Sequence, residues 1–144
     1  MSVLDKSHAV VSAIHSLLVQ ALVESDVRLN PSKAFRLKPS GAVALFPGEA
    51  EELPDSPLNS AVLQHSLPLF VGAEPSISQT SSQILRGLSS AIEAAVRSDR
   101  TLDGLVDWLW VSPEYAGPTP VEALGVEAAD WVPITLMAEY SVGR

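Results

Sequence analysis

Asp99-Arg100-Thr101-Leu102-Asp103-Gly104-Leu105 separates two segments of different period, one helical and one extended. Before it, Ile84, Leu85, Leu88, Ile92, Ala95 and Val96 recur every three or four residues, the spacing of one helix face, while Arg86, Glu93 and Arg97 point outward. After it, Leu105, Leu109 and Val111 alternate with Val106, Trp108 and Trp110, the period of a strand. The pattern predicts a helix over 79–98 with Thr80 and its neighbouring serines as N-caps. One further helical turn capped by Thr101 follows, and then a strand over 105–112.

A second helix is expected over residues 5–24. Val10, Val11, Ile14, Leu17, Leu18, Ala21 and Leu22 form its stripe, Asp5 or Ser7 caps its start, and Ser25-Asp26 weakens its end. From Val27 to Leu53 the pattern is short and extended. Asn30-Pro31-Ser32 and Pro39-Ser40-Gly41 are turns, Lys33–Lys38 is a candidate edge strand, and Ala42–Phe46 is a strand ended by Pro47-Gly48. Glu49 to Asp55 holds four acids in seven residues and reads as a solvated loop. Residues 60–72 alternate as a strand, with Leu63, His65, Leu67, Leu69 and Val71 on one face and Val62, Gln64, Ser66, Pro68 and Phe70 on the other. Pro68 cannot donate to a ladder, so this strand is expected at an edge or with a bulge. After a Pro- and Gly-rich loop (Ser112–Gly125), Trp131–Tyr140 alternates again, with Val132, Ile134, Leu136, Ala138 and Tyr140 toward the core.

The order is therefore α-β-β-β-α-β-β. It implies an α+β fold, an antiparallel β-sheet with two main helices packed on one face, in a single domain over 1–144. A chain of 144 residues, 47% hydrophobic, can bury such a core. The N-terminus, Met-Ser-Val-Leu-Asp-Lys, lacks the basic and apolar succession of a secretory leader. No apolar run is long enough to cross a bilayer, so no membrane partner is expected.

Composition also excludes chemistries. There is no cysteine, which removes disulfides, thiolate nucleophiles and cysteine-ligated metals. Nine Lys and Arg against 17 Asp and Glu give a net charge of −8, unsuited to gripping phosphates. Phosphate-binding glycine loops, a G-x-S-x-G elbow and H-E-x-x-H spacing are all absent. The histidines, His8, His15 and His65, stand far apart. His15 reads as a packing residue and His65 as a core or interface residue. The carboxylates of Glu49–Asp55, Asp99 and Asp103 lie in turns that keep them hydrated, not in the apolar pocket an acid/base pair needs. The expectation is no catalytic residue, no cofactor and no bound metal. Trp108 and Trp110 present a large amphipathic surface, either sheet-to-helix packing or burial against another subunit. With His65 and Phe70 they form the candidate subunit or partner interface.

The order of elements resembles the tail terminator (minor tail protein U-like) family of long-tailed bacteriophages, a group of tail completion proteins. The likeness rests on Asp99, Thr101, Leu102, Gly104 and Leu105, the strand through Trp110, and the alternating strand Trp131–Val142, and in outline it runs from about residue 9 to 142. Many members carry a second glycine where Asp103 stands here. The Trp108/Trp110 pair and the loop Pro47–Pro57 have no counterpart in that pattern.

The resemblance implies a homo-oligomeric, commonly hexameric, ring on the last layer of tail tube protein. Such a ring stops tube polymerisation and offers the surface for head–tail joining, without catalysis. The chain would sit at the head-proximal end of the virion tail, and in the host cytoplasm during assembly. Edge strands such as 33–38 or 60–72 would be completed by a neighbour. Glu49, Glu51, Glu52 and Asp55 would face the lumen, letting DNA pass without specific binding. The alternatives are a head-completion or neck (head–tail connector) protein, a small intracellular enzyme, and an adaptor domain that binds through the Trp108/Trp110 face.

Overall fold

Helix α1 (Val3–Ala21) and helix α2 (Ser81–Ser98) pack on one face of a six-stranded sheet in the computed structural model, which describes residues 2–31, 40–74, 80–112 and 130–143. The strands are β1 (Asp26–Leu29), β2 (Ala42–Leu45), β3 (Glu49–Glu52), β4 (Ser60–Ala73), β5 (Trp108–Ser112) and β6 (Asp130–Gly143). Their order across the sheet is β1-β2-β4-β6-β5, with β3 beside β2 on the same flank of β4. All pairings are antiparallel except β1 with β2.

The helices form where the apolar stripes foretell, and the expected cap holds for α2. Thr80 and Gln83 make a reciprocal capping box at the start of α2. α1 starts earlier than expected, because Ser2 rather than Asp5 or Ser7 caps it, its hydroxyl accepting from the Asp5 amide at 3.1 Å. It also ends earlier, at Ala21. Val10, Ile14 and Leu18 of α1 and Ile84, Leu88, Ile92 and Val96 of α2 share one core with the odd-numbered residues of β4 and with Leu136, Ala138 and Tyr140 of β6. Each such aliphatic side chain contributes about 1.5–3 kcal/mol by leaving water.

β2 and β3 are two halves of one bulged strand, which restores the α-β-β-β-α-β-β order. Leu45 pairs with Leu69 and Glu49 with Ser66, so Phe46, Pro47 and Gly48 stand opposite only Leu67 and Pro68. Gly48, at φ +61°, makes the bulge; a Cβ there would overlap the Ser66 carbonyl oxygen. The extra residue shifts the alternation. Ala42 and Ala44 of β2 face away from the helices, and so do Glu49 and Glu51 of β3, while Ala50 packs toward the core opposite His65.

This corrects two expectations. Glu49, Glu51 and Glu52 belong to a strand, not to a solvated loop, because the bulge lets the chain continue along β4; only Asp55 lies in the turn that follows. The strand over 60–72 is not an edge: β4 lies between β2/β3 and β6. Its proline is accommodated by the neighbour's bulge. The Pro68 carbonyl accepts from the Phe46 amide at 2.9 Å, so its missing N–H lies on the flank where the ladder is already interrupted. The candidate strand Lys33–Lys38 and residues 113–125 of the Pro- and Gly-rich loop lie outside the described residues.

The Asp99–Leu105 segment is a left-handed turn, not a further helical turn. Leu102, Asp103 and Gly104 have φ of +48°, +58° and +87°. Asp99 accepts from the Asp103 amide at 3.0 Å and Thr101 from the Gly104 amide at 3.4 Å, while Leu102 is buried in the core. The turn consumes Leu105–Asp107, so the strand begins at Trp108.

Candidate functional site

His65 lies on the core face of β4 at 2% exposure, with both ring nitrogens engaged. Nε2 is 2.6 Å from the Pro47 carbonyl and Nδ1 is 2.9 Å from the Tyr140 hydroxyl. A carbonyl only accepts, so Nε2 carries the proton and Tyr140 donates to Nδ1 of a neutral ring. Burial pushes the His65 pKa below its ordinary value, against a smaller opposing effect of the Pro47 hydrogen bond. Burial also pushes the Tyr140 phenol up to about 12. Lys6 of α1 closes the group from outside, its ammonium 5.8 Å from the Tyr140 ring centre and 2.8 Å from the Ser141 carbonyl. No atom of His65 is left for a substrate. The triad instead ties the bulge carbonyl to the central strands.

Pairing across β3, β4, β6 and β5 defines two rows on the face away from the helices. One runs Glu51, Gln64, Glu139, Trp108; the other runs Glu49, Ser66, Met137, Trp110. Both rows end in an acid on one side and a tryptophan on the other. Trp108 is 49% exposed, and the Arg100 guanidinium sits 4.9 Å from its ring centre. The same guanidinium donates through Nη1 to the Leu109 carbonyl at 3.1 Å. Between α2 and β5 lies an open cleft of about 250 Å³, lined by Glu93, Val96, Arg97, Arg100, Trp110 and Val111. A wider groove of about 640 Å³ runs between α1 and the left-handed turn, past Leu17, Gln20, Asp99 and Asp103.

The sequence-predicted site residues therefore separate. Trp108 and Trp110 share the β5 end of the outer face. Phe70 is on that face too, but at 2% exposure it is packed with Ala42, Ala44, Phe46 and Trp131. His65 points the other way into the core. The buried side chains of His65 and Phe70 are thus not part of an exposed surface of the single chain. Of the four acids, Glu49 and Glu51 project from one face of β3 and Glu52 from the other, so they do not present one patch. In the sequence Arg97 reads only as an outward-facing helix residue and Arg100 as part of the turn; their three-residue spacing at the end of a helix, just ahead of a tryptophan-bearing strand, was the available signal for a shared site. Among the described residues no group of three or more His, Asp or Glu side chains is placed to hold a metal ion, and no helix is long and apolar enough to cross a membrane.

No protein-family model matches the chain, and no curated protein matches it.

Proposed function

We propose that this chain is a structural subunit of a bacteriophage tail, a terminator that caps the tail tube as a ring and presents the surface on which the head docks. The observation that carries the reading is the succession of elements around the Asp99–Leu105 turn: helix, three strand units, helix, turn and two strands. Its chemistry supports a role exercised through surfaces. The only buried histidine among the described residues has both nitrogens bonded within the chain, and the two clefts are open grooves lined by helix and strand surface.

A ring needs a contact between two different patches of one chain, repeated with a rotation that divides a full turn. DNA passing through it would meet subunits of net charge −8, whose sign disfavours sticking. Because the pairing of β3 splits the acids between two faces, that role falls to the overall charge rather than to Glu49, Glu51, Glu52 and Asp55 as a group.

The test is native mass measurement of the purified chain, alone and mixed with tail tube subunits, with electron microscopy of the mixture. Closed rings, free or seated on tube ends, are the expected result. A chain that stays monomeric and ignores tube ends overturns the reading, and rings that bind only the portal side would make it a neck protein.

A further inference from the structure

The two ends of the β3-β4-β6-β5 rows differ in their charged groups: acids alone at the β3 end, and two arginines beside Glu93, Asp107 and Glu139 at the β5 end. At the β3 end stand Glu49 and Glu51, both exposed and without an ion-pair partner among the described residues. At the β5 end stand Arg97 and Arg100, two of only nine basic residues in the chain, likewise without an acidic partner among the described residues. The cleft they line also contains Glu93, so its lining carries two positive charges against one negative, a net of +1. Three strand spacings of about 4.8 Å separate the two ends, roughly 14 Å.

Polarity matters as much as charge. β3 runs opposite to β4, β4 opposite to β6, and β6 opposite to β5, so β5 runs opposite to β3. A second copy set beside the first with the same face outward therefore brings its β3 antiparallel to the first copy's β5. The rows then continue from one copy to the next, with Glu51 arriving level with Trp108 and Arg100, and Glu49 level with Trp110.

We propose that copies of this chain meet head to tail through these two ends, the Glu49/Glu51 edge of one against the Arg97/Arg100/Trp110 cleft of the next. The proposal rests on the ring reading above and names the surfaces that would close the ring. Side chains make the contact rather than a continued ladder, because Arg100 already occupies the outward Leu109 carbonyl and blunts that edge. That same bond, with the stack on Trp108, holds the guanidinium in place. Its remaining N–H donors are presented to a carboxylate with little ordering left to do. An isologous dimer through the β3 ends would set acid against acid, whereas the heterologous arrangement gives those acids arginine partners.

The experiment reverses each end separately. Glu49→Lys with Glu51→Lys sets lysines against the arginines; Arg97→Glu with Arg100→Glu sets acid against acid. Each variant alone should self-associate at least about tenfold more weakly than wild type, by sedimentation or native mass, since a like-charge contact costs more than the roughly 1.4 kcal/mol that a factor of ten represents. Mixed in equal amounts, the two should recover the wild-type assembly as alternating copies. Thermal melts of each variant check the fold. Should one variant fail to fold, Glu49→Gln with Glu51→Gln and a salt titration of wild-type assembly probe the same contact: both should weaken association, and an assembly indifferent to both overturns the proposed surfaces.

Rings that survive both reversals, or variants that do not rescue one another, overturn these contact surfaces and leave the ring standing. A wild-type chain that never associates, even on tube ends, overturns both.

Discussion

The two faces of β4 share one backbone and meet different surroundings. Toward the helices Leu63, His65, Leu67, Leu69 and Val71 are all buried; on the other side Val62, Gln64, Ser66 and Pro68 are half-buried, and closure comes only at Phe70 and Gly72 beside Trp131. Parity along the strand thus separates two duties. Odd positions hold the fold together. The outer face and the strand ends that border it hold the groups available to a neighbour, the acids of β3 and the tryptophans of β5.

Truncation on the two faces gives the largest expected difference. Leu69→Ala, fully buried on the helix side, should lose about 2–5 kcal/mol of stability in denaturant melts, whereas Gln64→Ala should stay within about 0.5 kcal/mol. Comparable losses at both positions would mean that the outer face is a second core.

Next in size is Gly48→Ala. The residue sits at φ +61°, a conformation that costs a non-glycine residue about 1–3 kcal/mol, and the added methyl would also push against the Ser66 carbonyl. Hydrogen exchange should show the loss concentrated in the amides of β3, which would fray from β4 before the helix-side core melts. Uniform loss of protection would contradict that localisation.

His65 sharpens the contrast through pH. Its folded pKa lies below the ordinary 6.5 because burial opposes the charged ring. Between those two values the unfolded chain binds more protons than the folded one, so stability is fully present above about 6.5 and falls as pH drops through that window. Melts from pH 7 downward should show this slope, and His65→Gln should remove its share of it. An unchanged slope would place the acid sensitivity elsewhere.

The smallest effect has the opposite sign. Gly87 lies exposed within α2, and a methyl there meets nothing within 4 Å, so Gly87→Ala should raise stability by about 0.5–1 kcal/mol. A loss would show that this helix surface is in contact with something.

Segments whose pattern is also their environment were legible in advance. α2 follows from the Ile84–Val96 stripe and the Thr80 cap, and the alternation of β4 and β6 predicts which residues face the helices. Elements that depend on distant partners were not. Glu49–Glu52 has the composition of a loop and becomes a strand only because Gly48 supplies a bulge and Ala50 finds the core opposite His65. Leu102 is a poor residue for positive φ, and the turn that holds it there also buries its side chain in the core. The pairing of His65 with Tyr140 spans 75 residues, and no local signal joins them. Nor does spacing reveal that Arg100 would reach across to Trp108, since the turn between them reverses the chain.

The bulge also bears on how this chain can change over generations. Three residues, Phe46, Pro47 and Gly48, are matched against two on β4. Deleting one of them would leave two residues facing two, so β2 would run straight into β3 at the same register, with Glu49 and Glu51 still on the outer face and Ala50 still opposite His65. Length at this point is thus more forgiving than spelling: a chain one residue shorter keeps both faces of β3 in place, whereas a side chain at Gly48 meets the Ser66 carbonyl.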